Sequence, residues 1–249
     1  MAITILSLGR LPEILAGDDL GALIGAAAPP DLADDDVVVI AHKAISKAEG
    51  RTVRLSEVAP GEHARALAAE HGKDPRHVEV VLRESAELVR AERGVLVCRT
   101  HHGLVCANAG VDASNAAAAD ELVLLPLDPD RSARELRERI AAVRGVRPGV
   151  LVTDTFGRAW RLGQTDVAIG AAGFVALDDW RGRQDAQERE MRATVIAVAD
   201  AVAGAADLAR GKDSGEPAVR VSGLGHYVTE EDGPGAAVLR RPLDEDLFR

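Results

Sequence analysis

Three phenylalanines, two tryptophans and one tyrosine are all the aromatic residues in this 249-residue chain, although 47% of it is hydrophobic. The core must therefore be assembled from Ala, Val, Leu and Ile. Runs of β-branched residues alternate with helical patterns, the rhythm of strands covered by helices, so the expected fold class is α/β with mixed sheets. The length is sufficient for a core without disulfide staples. With no repeat, long linker or low-complexity tract beyond alanine-rich patches, one integrated domain over residues 1–249 is expected.

Charge narrows the functional classes. A formal net charge of -10 argues against a general nucleic-acid binder or a membrane-surface binder, which need a cationic face. No secretory leader is read at the amino terminus, and no apolar run approaches the ~20 residues of a membrane span, so a cytoplasmic protein is expected. Cys98 and Cys106 stand in apolar runs without metal-ligand spacing and read as small core residues of a reduced compartment.

Several elements can be placed. "DDDVVVIAHKAISKAEGR" reads as a strand from Val37 to Ile40 followed by a loop carrying Lys43 and Lys47. Strands are also expected at Val95 to Cys98, Leu104 to Cys106, and Val150 to Val152, the last ending abruptly in polar residues. Asp74 and Pro75 open a helix predicted to run to about Val89. Ser132 and Glu135 form a capping box, Leu136, Ile140 and Val143 a buried stripe, and Gly145 a stop. Met191, Val195, Val198, Val202 and Ala205 mark one face of a long helix. Gly21 and Gly25 have the spacing of a membrane packing motif, but Asp18, Asp19 and the following prolines confine them to a short soluble helix.

Chemistry is sought where strands deliver carboxylates into loops. Asp112 in "AGVDASN" has small neighbours that let backbone and ligand approach closely, and Asn115 offers a neutral oxygen. Asp154 in "LVTDTFGR" has the Thr155 hydroxyl beside it, and Mg2+ or Mn2+ prefers such hard oxygens. Both aspartates could equally cap turns. Arg158 and Arg161, placed in one loop after Asp154, suit phosphate or carboxylate oxygens. The chain has only four lysines, Lys43, Lys47, Lys73 and Lys212, and only two asparagines, both within residues 101–115, so these types are traced as carriers of chemistry. His101 and His102 read as turn residues. No GxxxxGK[ST] loop, GxGxxG fingerprint or GxSxG elbow is present.

Longer stretches resemble a known family, the coenzyme F-420:L-glutamate ligases of the CofE type, also found as the amino-terminal half of FbiB-like proteins. "GRLPEI", "ISKAEGR", "HGLVCANAGVDASN", "LLPLDPDRSA", "VTDTFGRAWRLGQTDVAIGAAG" and "GKDSGEPAVRVSGLG" carry the resemblance nearly end to end. It implies the CofE-like ligase fold, with subunits paired as an intertwined homodimer. It also implies use of GTP and divalent metal, Mg2+ or Mn2+ at two sites with K+ as a further candidate ion, to phosphorylate a carboxylate of F-420-0, after which the amine of L-glutamate displaces phosphate. Carried over by motif, Asp112 and Asp154 hold one metal and Thr155 contacts a second. Leu11, Pro12, Glu13, Ile14, His42, Lys43, Lys47 and Asn115 line the nucleotide, joined by Lys212 and Asp213 of the late loop. Lys47 is expected to provide the main point charge on the phosphates, and Arg158 and Arg161 are added as catalytic candidates.

Three departures from the family pattern stand out: Asp200 is followed by Ala201 rather than by a second acid, "RQDAQERE" lacks the glycine expected near Glu188, and Lys212 occupies a position where an archaeal relative has an acidic ligand. The alternatives are a related GTP- and metal-dependent ligase with another amino acid or acceptor, and a non-catalytic nucleotide-binding scaffold. "VLRRPLDEDLFR" resembles the segment before the reductase domain of FbiB-like proteins, so amide formation without reduction of a dehydro-precursor is expected.

Overall fold

The computed structural model describes residues 2–114 and 119–246. In chain order its elements are β1 (Thr4–Ser7), α1 (Leu20–Ala27), β2 (Val37–Ala41), α2 (His42–Ala48), β3 (Thr52–Arg54), α3 (Glu62–His71), α4 (Pro75–Arg83), β4 (Ser85–Glu92) and β5 (Val95–Thr100). They continue with β6 (Val105–Ala107), β7 (Glu121–Val123), α5 (Pro129–Arg144), β8 (Gly149–Arg158), β9 (Arg161–Ala172), β10 (Leu177–Asp179), β11 (Val195–Ala197), α6 (Val198–Asp207) and β12 (Ala218–Ser222).

The organising sheet has the order β1-β12-β2-β8-β9. β2 and β8 run parallel and every other pairing in it is antiparallel, so the sheet is mixed. β2 is a continuous apolar run because both of its faces are covered. Val38, Ile40, Val150 and Val152 turn toward α1, α2 and α5. Their alternates Val37, Val39 and Leu151 turn toward α6. The two cores follow from the period of two along a strand. A third core, including Val58, Ala64, Val78, Leu96 and Leu122, lies among α3, α4 and the small sheets β4-β5-β6 and β3-β7.

Several sequence expectations need correction. Lys43 and Lys47 lie on a helix, α2, rather than in a loop. β8 does not stop at Val152 but continues to Arg158, because β9 pairs with it throughout and satisfies the backbone of its polar half. The helix opened by Asp74 ends at Arg83, and the chain turns directly into strand β4. The cap of α5 is Asp128, whose side chain accepts the Arg131 amide, with Pro129 at the first helical position. Ser132 sits a turn inside, its hydroxyl on Glu49. Gly145 closes that helix as expected, in the left-handed conformation; Leu136 and Ile140 are buried, whereas Val143 is 41% exposed. The long helix read from Met191 begins only at Val198, since Val195–Ala197 pairs with β10.

Gly21 and Gly25 do line a short helix, and their task is close packing on α5: a Cβ on Gly21 would fall 2.6 Å from Cβ of Arg139. Cys98 and Cys106 are free, buried, and directly opposed on β5 and β6.

Backbone meets backbone closely where α5 crosses β9. A Cβ on Gly170 would lie 2.3 Å from the Pro129 carbonyl oxygen, whereas one on Gly157 would meet nothing within 4 Å. Gly170→Ala should therefore lower unfolding free energy by about 1–3 kcal/mol in urea denaturation. Gly157→Ala should change it by less than about 0.5 kcal/mol.

Candidate functional site

A cleft of about 860 Å³ opens where the parallel pairing of β2 with β8 ends, at Ala41 and Thr153, while β8 itself runs on beside β9. The carboxyl edge of a parallel pair is where loops diverge and leave a crevice. Here β2 delivers His42 and Lys43 at the start of α2, β8 delivers Thr153, Asp154 and Thr155, residues 10–14 form one wall, and the segment from Asp207 to Pro217 forms another.

Charges in the cleft are matched in pairs. Lys43 Nζ donates to Asp112 Oδ2 at 2.6 Å and to the Ser114 hydroxyl at 2.6 Å. The Ser114 amide donates to Asp112 Oδ1 at 2.7 Å. Burial works against ionisation of Asp112, but Lys43 and Ser114 outweigh it and hold the carboxyl below its ordinary value. The buried His42 ring places Nε2 3.2 Å from Asp154 Oδ1, outside good hydrogen-bond geometry, and Nδ1 against Ser46. Asp154 Oδ1 also accepts the Thr155 amide at 2.7 Å. Lys47 Nζ is 2.7 Å from Glu13 Oε1. Burial disfavours the Lys212 ammonium; its hydrogen bond to Asp207 and the charge of Asp166 overcome this and raise its pKa.

Of the residues singled out in the sequence, Leu11, Pro12, Glu13, Ile14, His42, Lys43, Lys47, Asp154, Thr155, Lys212 and Asp213 line the cleft. Asp112 is tied to its wall through Lys43. Asn115 lies outside the described residues. Arg158 and Arg161 are not in one loop: they face each other across the last rung of the β8–β9 hairpin, both exposed, with Arg158 donating to the Leu162 carbonyl. The structure does not bring them to the cleft. Lys73 is likewise absent from the lining. His101 and His102 sit in a turn and reach the carbonyls of Arg83 and Pro126.

Sequence reasoning missed Asp166, Arg210 and Arg10. Asp166 pairs with Thr155 across the hairpin. It is visible only once β8 is extended past Val152, which makes the polar "TD" before "VAIGAAG" the partner of "TDT". Arg10 lines the cleft without an acidic partner among the described residues; its Nε lies 2.9 Å from where a Cβ on Gly215 would be, so glycine there, at φ +71, admits the guanidinium.

Asp112, Asp154 and Thr155 present hard oxygens, as Mg2+ and Mn2+ require. Among the described residues no three carboxylate, imidazole or thiol groups converge as a complete metal cage. A divalent cation held by these oxygens would need its remaining ligands from elsewhere, as Mg2+ commonly takes them from water.

A crevice at the carboxyl edge of a parallel pair, with several cations set among acids, defines an α/β protein suited to oxyanionic substrates. The sequence matches the family described as F420-0:Gamma-glutamyl ligase over residues 9–223. It is 45% identical over 240 residues to the coenzyme F420:L-glutamate ligase of Methanopyrus kandleri, covering 95% of this chain and 94% of the relative. It is 44% identical over 253 residues to that of Archaeoglobus fulgidus, covering 100% and 97%, and 40% identical over 254 residues to that of Methanothermobacter thermautotrophicus, covering all of both. The chain belongs to the F420-0:gamma-glutamyl ligase family and is an enzyme of the ligase class.

The Asp112 shift has a definite sign. With its folded-state pKa below the ordinary 3.8, the stability it contributes is complete above that value and is lost as the pH falls below it. Asp112→Asn should therefore be less stable than the unsubstituted chain at neutral pH and converge on it in acid. Urea midpoints measured between about pH 5 and pH 2 test this, and curves that stay parallel would count against the Lys43–Asp112 pairing.

Proposed function

We propose that this chain uses GTP and divalent cations to join L-glutamate to F-420-0 in coenzyme F-420 biosynthesis. A carboxylate oxygen of F-420-0 attacks the γ-phosphorus and GDP leaves. The glutamate amine then attacks the acyl carbon, phosphate leaves, and the nitrogen gives up a proton as the amide forms. The observation that supports the reading is that Asp154 and Thr155 of β8 line the same cleft as Lys43 and Lys47 of α2.

The chain's own residues supply binding and orientation. Lys47 and Lys43 stand where they could exchange their acid partners Glu13 and Asp112 for phosphate oxygens. Arg10, without such a partner among the described residues, is assigned to a substrate carboxylate or phosphate, a role suited to a guanidinium fork. Asp112, Asp154 and Thr155 would hold the divalent cations, which when bound neutralise charge on the transferred phosphoryl group. Leu11 and Ile14 offer the nucleotide an apolar wall.

A homodimer belongs to the same proposal. Trp160 and Leu162, 83% and 96% exposed at the β8–β9 tip, are surfaces that a second copy would cover; a protomer mass in light scattering would refute it. The reading also assigns the enzyme to the cytoplasm. No helix among the described residues is long and apolar enough to cross a membrane.

The deciding experiment measures metal-dependent GTP consumption and glutamyl-amide mass with F-420-0 and L-glutamate. Asp154→Asn should reduce amide formation by at least ~100-fold while the circular-dichroism spectrum stays unchanged. Turnover with another amino acid only would change the substrate assignment, and none with any amino acid would leave a nucleotide-binding scaffold.

A further inference from the structure

Asp166 is the buried acid of the cleft to which the reaction gives no task. Its side chain is 3% exposed, yet its two oxygens hold four partners. Oδ1 accepts the Thr155 hydroxyl at 2.7 Å and faces Lys212 Nζ at 3.4 Å. Oδ2 accepts the Thr153 hydroxyl at 2.8 Å and a short hydrogen bond from Arg210. Arg210 is itself buried and is anchored further by the Pro217 carbonyl and Thr153. A carboxylate has roughly four acceptor directions, so Asp166 has none left for a ligand of its own. It can act only through the groups it holds.

The group that matters is Thr155. A hydroxyl has one proton and two lone pairs. The proton is committed to Asp166, and one lone pair takes the Lys212 ammonium at 3.0 Å. The remaining lone pair belongs to a side chain that lines the cleft. If the hydroxyl were free to rotate, it would present its proton to the cleft for part of the time and oppose a cation there.

We propose that Asp166, clamped by Arg210, is a positioning residue that fixes the Thr155 hydroxyl with its oxygen turned to the cleft as an acceptor for a divalent cation. This rests on the metal-dependent reading above and gives a role to Asp166 and Arg210, to which the motif resemblance assigned none. Carboxylates behind a metal-binding group commonly act in this way, and their loss weakens metal affinity 10–100-fold.

The experiment is a double-mutant cycle read by Mn2+ binding in the presence of a non-hydrolysable GTP analogue, without turnover. Asp166→Asn and Thr155→Val should each weaken Mn2+ binding about 10–100-fold, and the double variant should be no weaker than Thr155→Val alone, because Asp166 acts through that hydroxyl. Because Asp166→Asn leaves the buried Arg210 unpaired, Asp166→Asn/Arg210→Met, which removes both charges, is measured beside it and should show the same loss. In turnover the Asp166 variants should regain their rate as Mn2+ is raised, with the KM for glutamate unchanged. Mn2+ affinity within twofold of the unsubstituted chain, alongside a lowered melting temperature, would make Asp166 a stabilising residue only and overturn the proposal. Additive losses in the cycle would also overturn it. Absence of Mn2+ binding by the unsubstituted chain would instead remove the metal reading, and this inference with it.

Discussion

The rest of the structure depends on the parallel pairing of β2 with β8. Parallel strands must be joined by a crossover, and both their faces need cover. Here the crossover is everything between Ala41 and Gly149, including α2, the third core and α5. That one constraint sets the last residue of β2 beside Thr153 of β8, so that His42 and Asp154, far apart in sequence, come to face one another. The register carries the chemistry: Ala41 pairs with Thr153, leaving His42 and Asp154 just past the last shared rung.

Electrostatics in the cleft follow from its partial burial. An unpaired charge removed from water is costly, and each buried acid needs a cation or several donors. Asp112 has Lys43, Asp166 has Arg210 and Lys212, and Asp207 has Lys212. A chain with a net charge of -10 thus keeps a cleft in which cations are abundant but mostly engaged. A ligand rich in oxyanions would compete with Asp112 for Lys43 and with Glu13 for Lys47, and each cation it took over would free that acid. Binding in such a cleft is an exchange of partners rather than a simple addition of charge.

The sheet core was legible in the sequence because "VVVI" and "GVLV" are apolar runs bounded by turn residues, and the aspartates after them were legible as strand-end carboxylates. What could not be read was decided by tertiary partners. The polar half of β8 looks like a loop until β9 is there to bond its backbone, so Arg158 and Arg161 were read as loop residues and Asp166 was overlooked. The pattern after Asp74 predicts a helix to Val89, yet "SAELVRAE" finds a strand partner in β5 and leaves the helix at Arg83. Val195 and Val198 share a helical spacing, but β10 claims the first of them. Arg10 stands inside "GRLPEI", but nothing in that stretch sets it apart from the other arginines; its place follows from Gly215, more than two hundred residues away.

The approach to Asp112 is shaped by three successive left-handed residues, Asn108 at φ 52, Ala109 at φ 54 and Gly110 at φ 72. Asparagine and glycine visit that region readily, whereas alanine does so at a cost of about 1–2 kcal/mol. Ala109 is buried, and a Cβ on Gly110 would strike Leu125 at 2.6 Å. In evolutionary terms this short stretch is a bottleneck: Gly110 has no neighbour in sequence space that keeps both its backbone and its space, position 108 can drift only among the few residue types that tolerate the conformation, and a gain in stability at Ala109 through glycine would come with a looser path to the aspartate.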